Sequence, residues 1–517
     1  MEANKGDEDP RLWVMKARTF AITFFSYAMF HVARKSFSSI KGELGKEEWM
    51  QSSLTTSQSN MYGIMDMVFM GCYASGLYVS GMMGDRVDLR LFITLGMFCT
   101  GASLIVFGLA GFADIHAFAF FVGLWGINGL VQSCGWPSNV AVMSRWFGHN
   151  ERGVAMGLWS GCSSFGNIFG GALVGLLCTY LDATIAWKVT LLVAGGLLWA
   201  LSLVVCCFLV PDPKDLALTS VPIETPETPP TKPNILEPQD LDKPKHLPGI
   251  SFWRAWLIPG VLPYALAYAC IKSVSYSLFF WVPYYLSVAF SMETSRANFY
   301  SILYDFGAII GAVLGGFITD RMEVRSPYVV ASLVCATLVL HFLHGATEHG
   351  TATILFALGL LTGGPETLIT TAISADLGMH PSLLGNAQAL ATVAGIIDGT
   401  GSFGAALMQF VVGAVAHCEQ TCSVDGDCTT TCGWWQVFTV LQVMLVVGML
   451  CLSKMVYQDV GVLCRPAPRA TALTKFHSRD LAGRRTQVPV MMGDADDFTG
   501  GTRAETPSHN PDDIIPA

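Results

Sequence analysis

Residues 81–90 read GMMGDRVDLR, and residues 316–325 read GFITDRMEVR. Both stretches follow the pattern G-x-x-x-D-R-x-x-x-R, and every matched residue is displaced by 235 positions (316 − 81 = 235). This pattern indicates an internal duplication, in which a helix ends beside arginines that contact its last carbonyl groups. The alternative is a charged turn that merely obeys the positive-inside rule. We predict a conformational latch in each half, formed by Asp85, Arg86 and Arg90 and by Asp320, Arg321 and Arg325.

The composition around these loops is that of a protein that lies in lipid. Of the 517 residues, 52% are hydrophobic and 13% are charged, whereas soluble proteins carry about 25% charged residues. The apolar runs are long and unbroken, while a β-barrel would show alternating polarity. The composition therefore excludes a soluble enzyme, a disordered chain and a nucleic-acid-binding protein. It predicts an all-α membrane protein.

Twelve apolar runs are about as long as, or longer than, the roughly 20 residues that a helix needs to cross a bilayer. The predicted transmembrane helices form two groups of six, at 17–37, 58–83, 90–112, 116–143, 153–180 and 187–210, and at 256–290, 297–319, 327–345, 351–375, 384–416 and 434–456. The resulting division is a cytoplasmic N-terminus (1–16), a first six-helix half (17–210), a cytoplasmic linker (211–255), a second six-helix half (256–456) and a disordered cytoplasmic tail (457–517).

Lysine and arginine residues concentrate at one end of the predicted bundle, in both Asp-Arg loops, in the linker and near both termini. The opposite end carries two lysines offset by glutamates, namely Lys41, Lys46, Glu43, Glu47 and Glu48. The positive-inside rule therefore places both termini in the cytoplasm, which requires an even number of spans.

Two basic residues, Arg34 and Lys272, lie within predicted spans. Adding the repeat displacement to 34 gives 269, so the two cations lie within one helical turn of equivalent positions in the two halves. A charged side chain costs about 2.5–3.5 kcal/mol at the centre of a membrane helix and therefore marks a functional position. The planar fork of arginine and the point charge of lysine together suit a doubly charged phosphate. The alternatives are an arginine that caps the first span and a lysine that pairs with an acid for helix packing.

Two buried cations that face one cavity repel each other, and closing the cavity removes water from both. A phosphate-bearing ligand would offset this repulsion, whereas the empty protein would return slowly. The hypothesis predicts exchange of one anion for another. Aromatic and polar-tipped residues of the spans are the candidates for further substrate contacts, with core packing as the alternative for each: Tyr27, His31, Tyr62, Trp136, Tyr268 and Tyr276.

Two six-helix halves, each with the Asp-Arg loop, resemble the major facilitator superfamily, in which the substrate site lies between the halves at mid-membrane. Several stretches look like the sugar-phosphate exchangers of solute carrier family 37 and, more distantly, the bacterial organophosphate:phosphate antiporters: SYAMFHVARKSFS (26–38), NGLVQSCGWPSNVAVMSRWFG (128–148), ERGVAMGLWSGCSSFGN (151–167), YACIKSVSYSLFFWVPYYLS (268–287) and TTAISADLG (370–378). The resemblance implies that glucose-6-phosphate or a related phosphoester exchanges for inorganic phosphate by alternating access, with Arg34 and Lys272 at the phosphate. It also implies the endoplasmic reticulum membrane.

Two positions depart from the pattern of the wider family. Leu77 stands where the bacterial relatives and the endoplasmic-reticulum glucose-6-phosphate translocase have a lysine in the second span. Ser163 stands where the bacterial glycerol-phosphate carriers have a histidine. The chain is therefore closer to the other members of family 37, and the residues that recognise the sugar are not carried over.

Five acids within or near the spans could neutralise Lys272 or carry a proton with the substrate: Asp66, Asp305, Glu366, Asp376 and Asp398. We favour Asp398 because it lies in the mostly apolar segment IIDGTG (396–401). Two alternative functions follow. One is a proton-coupled organic-anion symporter that depends on such an acid, and the other is a non-transporting sensor or scaffold with the same fold.

Four cysteines with the spacing C-x3-C-x5-C-x3-C lie between the eleventh and twelfth spans: Cys418, Cys422, Cys428 and Cys432. That loop is predicted to face an oxidising compartment, so we expect two disulfides, with three connectivities open. The spacing fits no common zinc pattern, and no Walker motif accompanies the glycine-rich segments GNIFGG (166–171) and GAIIGAVLGG (307–316), which are typical of helix contacts. The sequence predicts no cofactor, metal, nucleic acid or enzymatic activity; the expected partners are the phosphoester, phosphate and lipid.

Overall fold

The computed structural model describes residues 10–51, 57–84, 87–147, 155–215, 252–322, 324–378, 388–422 and 428–463. Within these ranges the chain forms twelve long helical segments, in the order α1 (Pro10–Leu44), α2 (Gln58–Gly84), α3 (Leu89–Phe112), α4 (Phe118–Trp146), α5 (Ala155–Tyr180), α6 (Ala183–Phe208), α7 (Val261–Ala289), α8 (Thr294–Met322), α9 (Ser326–His341), α10 (Glu348–Gly378), α11 (Gln388–Val415) and α12 (Trp434–Leu463). Three short helices accompany them: Glu48–Gln51, Pro213–Asp215 and Phe252–Ala255.

Nine of the helices in the described ranges are long and apolar enough to cross a membrane. Helix α9 is apolar but shorter, while α1 and α2 are long and carry more polar residues. The polar residues of α1 include Arg34, Lys35 and Lys41, all of which are buried. Because such side chains point into the bundle, they lower the mean hydropathy of the helix without meeting lipid. The number of twelve membrane spans stays a prediction.

Two helices are longer than the predicted spans. Helix α1 extends beyond the predicted span 17–37 at both ends, so Lys41 is a buried helical residue and not part of a charged loop. Helix α12 continues to Leu463, so residues 457–463 do not belong to a disordered tail. This last part of α12 is held because Asp459 Oδ2 accepts hydrogen bonds from the Ser326 backbone N–H (3.2 Å) and from Ser326 Oγ (2.6 Å) at the start of α9. Most of the predicted linker and the rest of the tail lie outside the described residues.

The internal repeat reappears in the packing of the helices. Helix α3 packs along α6 as α9 packs along α12, and α2 packs along α4 as α8 packs along α10. The contacts between the halves are also related by the repeat, because α2 packs against α11 and its equivalent α8 packs against α5. Helices α1 and α7, which carry Arg34 and Lys272, lie against each other. The duplication therefore positions the two cations on equivalent helices at the interface between the halves.

The glycine-rich segments are helix contacts, which confirms the prediction for them. A Cβ on Gly166 would collide with the carbonyl oxygen of Ala28 in α1. A Cβ on Gly311 would collide with the backbone of Leu360 in α10. Small residues at these positions let the helix backbones approach closely, which is the main source of helix association in lipid.

Two prolines free carbonyl groups for contacts between helices. Helix α4 is interrupted after Gln132 and resumes at Gly135, and Pro137 leaves the Ser133 carbonyl without its helical N–H donor. Ser80 Oγ of α2 donates to this carbonyl at 3.0 Å. In the same way, Pro283 of α7 frees the Phe279 carbonyl, and Ser38 Oγ of α1 donates to it at 2.9 Å. The second contact joins the two halves.

The four-cysteine segment forms a β-hairpin between α11 and α12. Strands β1 (Cys418–Cys422) and β2 (Cys428–Cys432) pair antiparallel, and the register places Cys418 opposite Cys432 and Cys422 opposite Cys428. Cys418 and Cys432 form a disulfide. The side chains of Cys422 and Cys428 lie outside the described residues. The prediction of an all-α protein therefore holds for the bundle, and the hairpin is added at one end of it.

Candidate functional site

Arg34 is fully buried on α1, and its guanidinium is held on one edge and one face. Its Nε donates to Gln132 Oε1 of α4 at 2.7 Å. Its Cζ lies 4.2 Å from the centre of the Tyr73 ring of α2. Its Nη2 is buried and has no hydrogen-bond partner among the described residues. Within the part of the chain that the structure describes, no carboxylate forms an ion pair with Arg34, so its positive charge is uncompensated.

Lys272 is 97% buried on α7, and its partners lie in the same half of the molecule. Its Nζ donates to Asp398 Oδ1 at 2.7 Å and to Ser402 Oγ at 2.9 Å, both on α11. Its Nζ also lies 5.5 Å from the centre of the Tyr268 ring. Of the five candidate acids, Asp398 is therefore the one that pairs with Lys272. The structure thus places beside Lys272 the acid that we favoured as its charge partner.

Tyr276 connects the two cations. Arg34 Nη1 lies 3.5 Å from Tyr276 Oη, and Lys272 Nζ lies 5.2 Å from the centre of the Tyr276 ring. Because Tyr276 is one helical turn from Lys272 on α7, it shares the face of that residue. The arrangement therefore brings three groups together. These are the charged guanidinium of Arg34 from one half, the neutralised ammonium of Lys272 from the other, and the hydroxyl of Tyr276.

An aromatic cluster lies on the Arg34 face of α1, one to two turns before this residue. The ring of Tyr27 lies 5.1 Å from the rings of His31 and Trp136 and 5.9 Å from that of Trp159. His31 Nδ1 is 3.0 Å from Asn167 Oδ1 of α5. Trp159 was not among the predicted site residues.

Tyr62 lies apart from this group, which corrects its assignment to the substrate site. Its hydroxyl donates to the Lys41 carbonyl at 2.6 Å, and Lys41 is seven residues, or about 10 Å of helix rise, beyond Arg34. The Lys41 ammonium forms a fully buried ion pair with Asp66 and donates to the Phe280 carbonyl of the other half at 3.1 Å. Tyr62 therefore belongs to a contact between the halves at the end of α1.

A second buried acid, Asp305 of α8, also contacts the first half. Asn167 Nδ2 donates to Asp305 Oδ1 at 2.7 Å, and Lys35 Nζ lies 4.0 Å from Asp305 Oδ2. Together with the Lys41 and Ser38 contacts, these interactions join the halves on the side of the bundle where α1 ends. Any movement that opens this side has to break them.

The loop residues predicted to form the latches contact several different partners. Arg325 pairs with Asp376 at the end of α10 and not with Asp320, which is exposed. Arg321 donates to the Phe317 carbonyl at 3.3 Å, as expected for an arginine at a helix end. Arg90 Nη2 lies 3.7 Å from Asp88 Oδ2. Asp85 and Arg86 lie outside the described residues, so the paired latch stays a prediction.

Sequence reasoning missed Gln132 and Tyr73, the two residues that hold Arg34. Both lie in apolar segments without a charge, and a single buried amide or phenol gives no pattern. Lys41 and Asp66 were recognised as charged, but they were not recognised as a pair. For Asp66 the available signal was its position inside a predicted span, since an uncompensated charge is costly there. Lys41 lies outside the predicted span 17–37.

Twelve helical segments arranged as two equivalent halves around buried charges define the class of secondary membrane transporters. The family model of the Major Facilitator Superfamily matches residues 19–409. The solved structure of a bacterial homolog of the human lysosomal transporter Spinster, in an inward-facing and unoccupied conformation, is similar with a TM-score of 0.62 and 14% identity, covering 88% of this chain and 99% of that one. The nucleoside transporter NupG has a TM-score of 0.57 and 12% identity, covering 85% and 98%. These two structures share the fold.

Two curated relatives show to which family of membrane transporters the chain belongs. The chain is 38% identical to sugar phosphate exchanger 3 of Mus musculus, over 77% of this chain and 86% of the relative. It is 33% identical to the glucose-6-phosphate exchanger SLC37A1 of Homo sapiens, over 86% and 93%. The chain belongs to the major facilitator superfamily and, within it, to the sugar phosphate exchangers of solute carrier family 37. It is thus a multi-pass membrane transporter and not an enzyme.

Proposed function

We propose that this protein exchanges a sugar phosphate for inorganic phosphate by alternating access, with the phosphate group bound by Arg34 and Lys272. The observation that carries the proposal is the meeting of these residues at Tyr276, because they come from equivalent helices of the two halves. The unpartnered Nη2 of Arg34 supports it as well. A buried guanidinium nitrogen without an acceptor is costly unless a ligand supplies one. The names of the relatives support the same substrate class.

The charges explain why exchange should be tightly coupled. Lys272 is paired with Asp398, and Arg34 has no carboxylate partner among the described residues. A phosphate dianion supplies acceptors for the Arg34 fork and competes with Asp398 for Lys272. Without substrate the buried charge of Arg34 stays uncompensated, whereas bound phosphate neutralises it. We expect the empty protein to change conformation slowly and the loaded protein to change it quickly.

The remaining aromatic residues are proposed to line the path of the sugar. Tyr268 and Tyr276 adjoin the cations, and Tyr27, His31 and Trp136 form the neighbouring aromatic cluster. Their rings offer flat apolar faces with polar edges. Tyr62 is left out of this group because it contacts Lys41. For the compartment, we propose the endoplasmic reticulum membrane with both termini in the cytoplasm, which rests on the family resemblance and on the distribution of lysine and arginine.

The experiment that tests the proposal is counterflow of radiolabelled phosphate into proteoliposomes, with and without internal phosphate. We expect rapid uptake only into phosphate-loaded vesicles, and loss of uptake in Arg34→Ala and Lys272→Ala. Arg296→Ala is the matched control, because Arg296 forms an exposed ion pair with Glu348 away from the site. Wild-type uptake in either site variant would overturn the proposal. Uptake that follows a pH gradient without internal phosphate would favour a proton-coupled symporter that uses Asp398.

A further inference from the structure

A chain of side-chain amides leads from helix α3 to Arg34. Arg34 Nε donates to Gln132 Oε1 at 2.7 Å, and Gln132 Nε2 donates to Asn128 Oδ1 one turn earlier on α4. Asn128 Nδ2 donates in turn to the Thr100 carbonyl at 3.3 Å and to Ser103 Oγ. Gln132 and Asn128 are both at least 99% buried. The bundle therefore contains a continuous polar path in a region where polar residues are otherwise disfavoured.

The orientation of every amide along this path is fixed at the end that contacts α3. The Thr100 carbonyl can only accept a hydrogen bond, so Asn128 has to turn its amide N–H₂ toward α3 and its oxygen toward Gln132. For the same reason, Gln132 presents its N–H₂ to Asn128 and its oxygen to Arg34. A reversed Gln132 amide would place N–H groups against the guanidinium. Each member orients the next, and the path ends in an acceptor aimed at Nε.

This acceptor determines which part of Arg34 is left for a ligand. With Nε occupied by Gln132 and one face of the guanidinium against Tyr73, the two terminal nitrogens remain. Nη1 makes one long contact to Tyr276 Oη, and Nη2 has no partner in the part of the chain that the structure describes. The pair Nη1 and Nη2 forms the end-on fork that binds two oxygens of one anion. Without the acceptor, the guanidinium would be free to rotate and to turn Nε toward the site instead.

We infer that Gln132 and Asn128 are positioning residues for substrate: they hold the Arg34 fork in the orientation in which both terminal nitrogens face the phosphate group. The inference rests on the proposed function and deepens it, because it assigns phosphate affinity to two residues that do not touch the phosphate. A preorganised fork loses less conformational freedom when the anion binds. The residues therefore act on the phosphate KM more than on the maximal exchange rate.

The test compares the kinetics of phosphate:phosphate exchange in proteoliposomes for wild type and four variants. Gln132→Met keeps the length of the side chain and removes the acceptor, and we expect its KM for phosphate to rise about 10-fold, the loss associated with one charge-assisted hydrogen bond. Its maximal rate should stay close to wild type. In Gln132→Glu the carboxylate pairs with Arg34 and competes with phosphate, so we expect a larger rise in KM. Asn128→Leu leaves the Gln132 amide free to turn. The KM of this variant should lie between the KM of wild type and that of Gln132→Met.

Gln409→Met is the matched control. Gln409 is a fully buried glutamine of α11 that accepts from Trp281 Nε1 at 2.9 Å and has no contact with Arg34 in the described structure. Its substitution removes a buried hydrogen bond and should leave the phosphate KM unchanged. Unchanged KM in Gln132→Met and Asn128→Leu, or a fall in maximal rate alone, would overturn the inference. The proposed function would fail separately, if Arg34→Ala still exchanged phosphate. Should Gln132→Met fail to fold, Gln132→Glu and Asn128→Leu decide.

Discussion

Lys272 Nζ lies 2.7 Å from Asp398 Oδ1, so the cation of the second half is already neutralised by a carboxylate on the neighbouring helix. The cation of the first half, Arg34, has no such partner among the described residues. The two halves are thus equivalent in fold and different in charge. In the proposed mechanism, substrate phosphate therefore competes with a resident acid on one side only.

Replacing Asp398 by asparagine should strengthen phosphate binding and slow the return of the empty protein. Lys272 would lose its competitor, so the KM for phosphate should fall several-fold, up to about 10-fold. The empty site would then hold two uncompensated cations, and closing it would cost more. Counterflow measures the first effect, and efflux of labelled phosphate into phosphate-free medium measures the second. Asp398→Glu keeps the charge and is the control. Efflux from the Asn variant as fast as from wild type would contradict the assignment.

Arg34→Lys should restore only part of the exchange that Arg34→Ala loses. Lysine keeps the positive charge but supplies neither the second ligand nitrogen nor the Nε that Gln132 holds. We expect a phosphate KM raised about 10-fold or more relative to wild type. Initial rates of counterflow over a range of phosphate concentrations measure this difference. Arg296→Lys, at the exposed pair with Glu348, should behave like wild type. Full activity of Arg34→Lys would mean that charge alone is sufficient.

The Lys41–Asp66 pair should be important for stability because both side chains are fully buried. Asp66→Asn leaves an uncompensated ammonium in the interior, and we expect a loss of about 3–5 kcal/mol in the free energy of unfolding. The double variant Lys41→Met with Asp66→Leu removes both charges and should recover most of this loss. Unfolding of the purified protein in detergent measures both.

The exposed ion pair Arg296–Glu348 is the control for these unfolding measurements. Removing its acid in Glu348→Gln should cost at most about 1 kcal/mol, since surface ion pairs are screened by water. A similar cost for Asp66→Asn would show that water reaches the Lys41 site, contrary to its burial. The double variant should also open more readily on the side where α1 ends, because the hydrogen bond from Lys41 to the Phe280 carbonyl is lost.

The hairpin between α11 and α12 should contain a second disulfide, between Cys422 and Cys428. The register places these residues directly opposite each other, inside the loop that Cys418 and Cys432 close. Peptide mapping under non-reducing conditions should recover the two nested pairs. Replacing both Cys418 and Cys432 by serine should loosen the hairpin without changing phosphate KM, since the hairpin lies outside the proposed site. Two alkylatable thiols at 422 and 428 would contradict the prediction.

Part of the site could be predicted from the sequence because charge in an apolar segment is a strong and local signal. Arg34, Lys272 and Asp398 each stand out from the apolar residues around them, and the displacement of 235 relates the two cations without any coordinates. Lys41 lies outside the predicted span 17–37, and only its burial on α1 shows that it belongs to the interior. Gln132 gave no signal, since one amide in a helix predicts nothing about its partner.

The residues alone were sufficient to establish a duplicated helical membrane protein, since the length of an apolar run and the spacing of a repeat are properties of neighbouring positions in the chain. Which acid meets Lys272, which amide holds Arg34 and where the halves touch depend on residues that are 98 to 270 positions apart. Such contacts arise only when helices pack, because the free energy of a buried charge or amide is set by the groups that surround it in space.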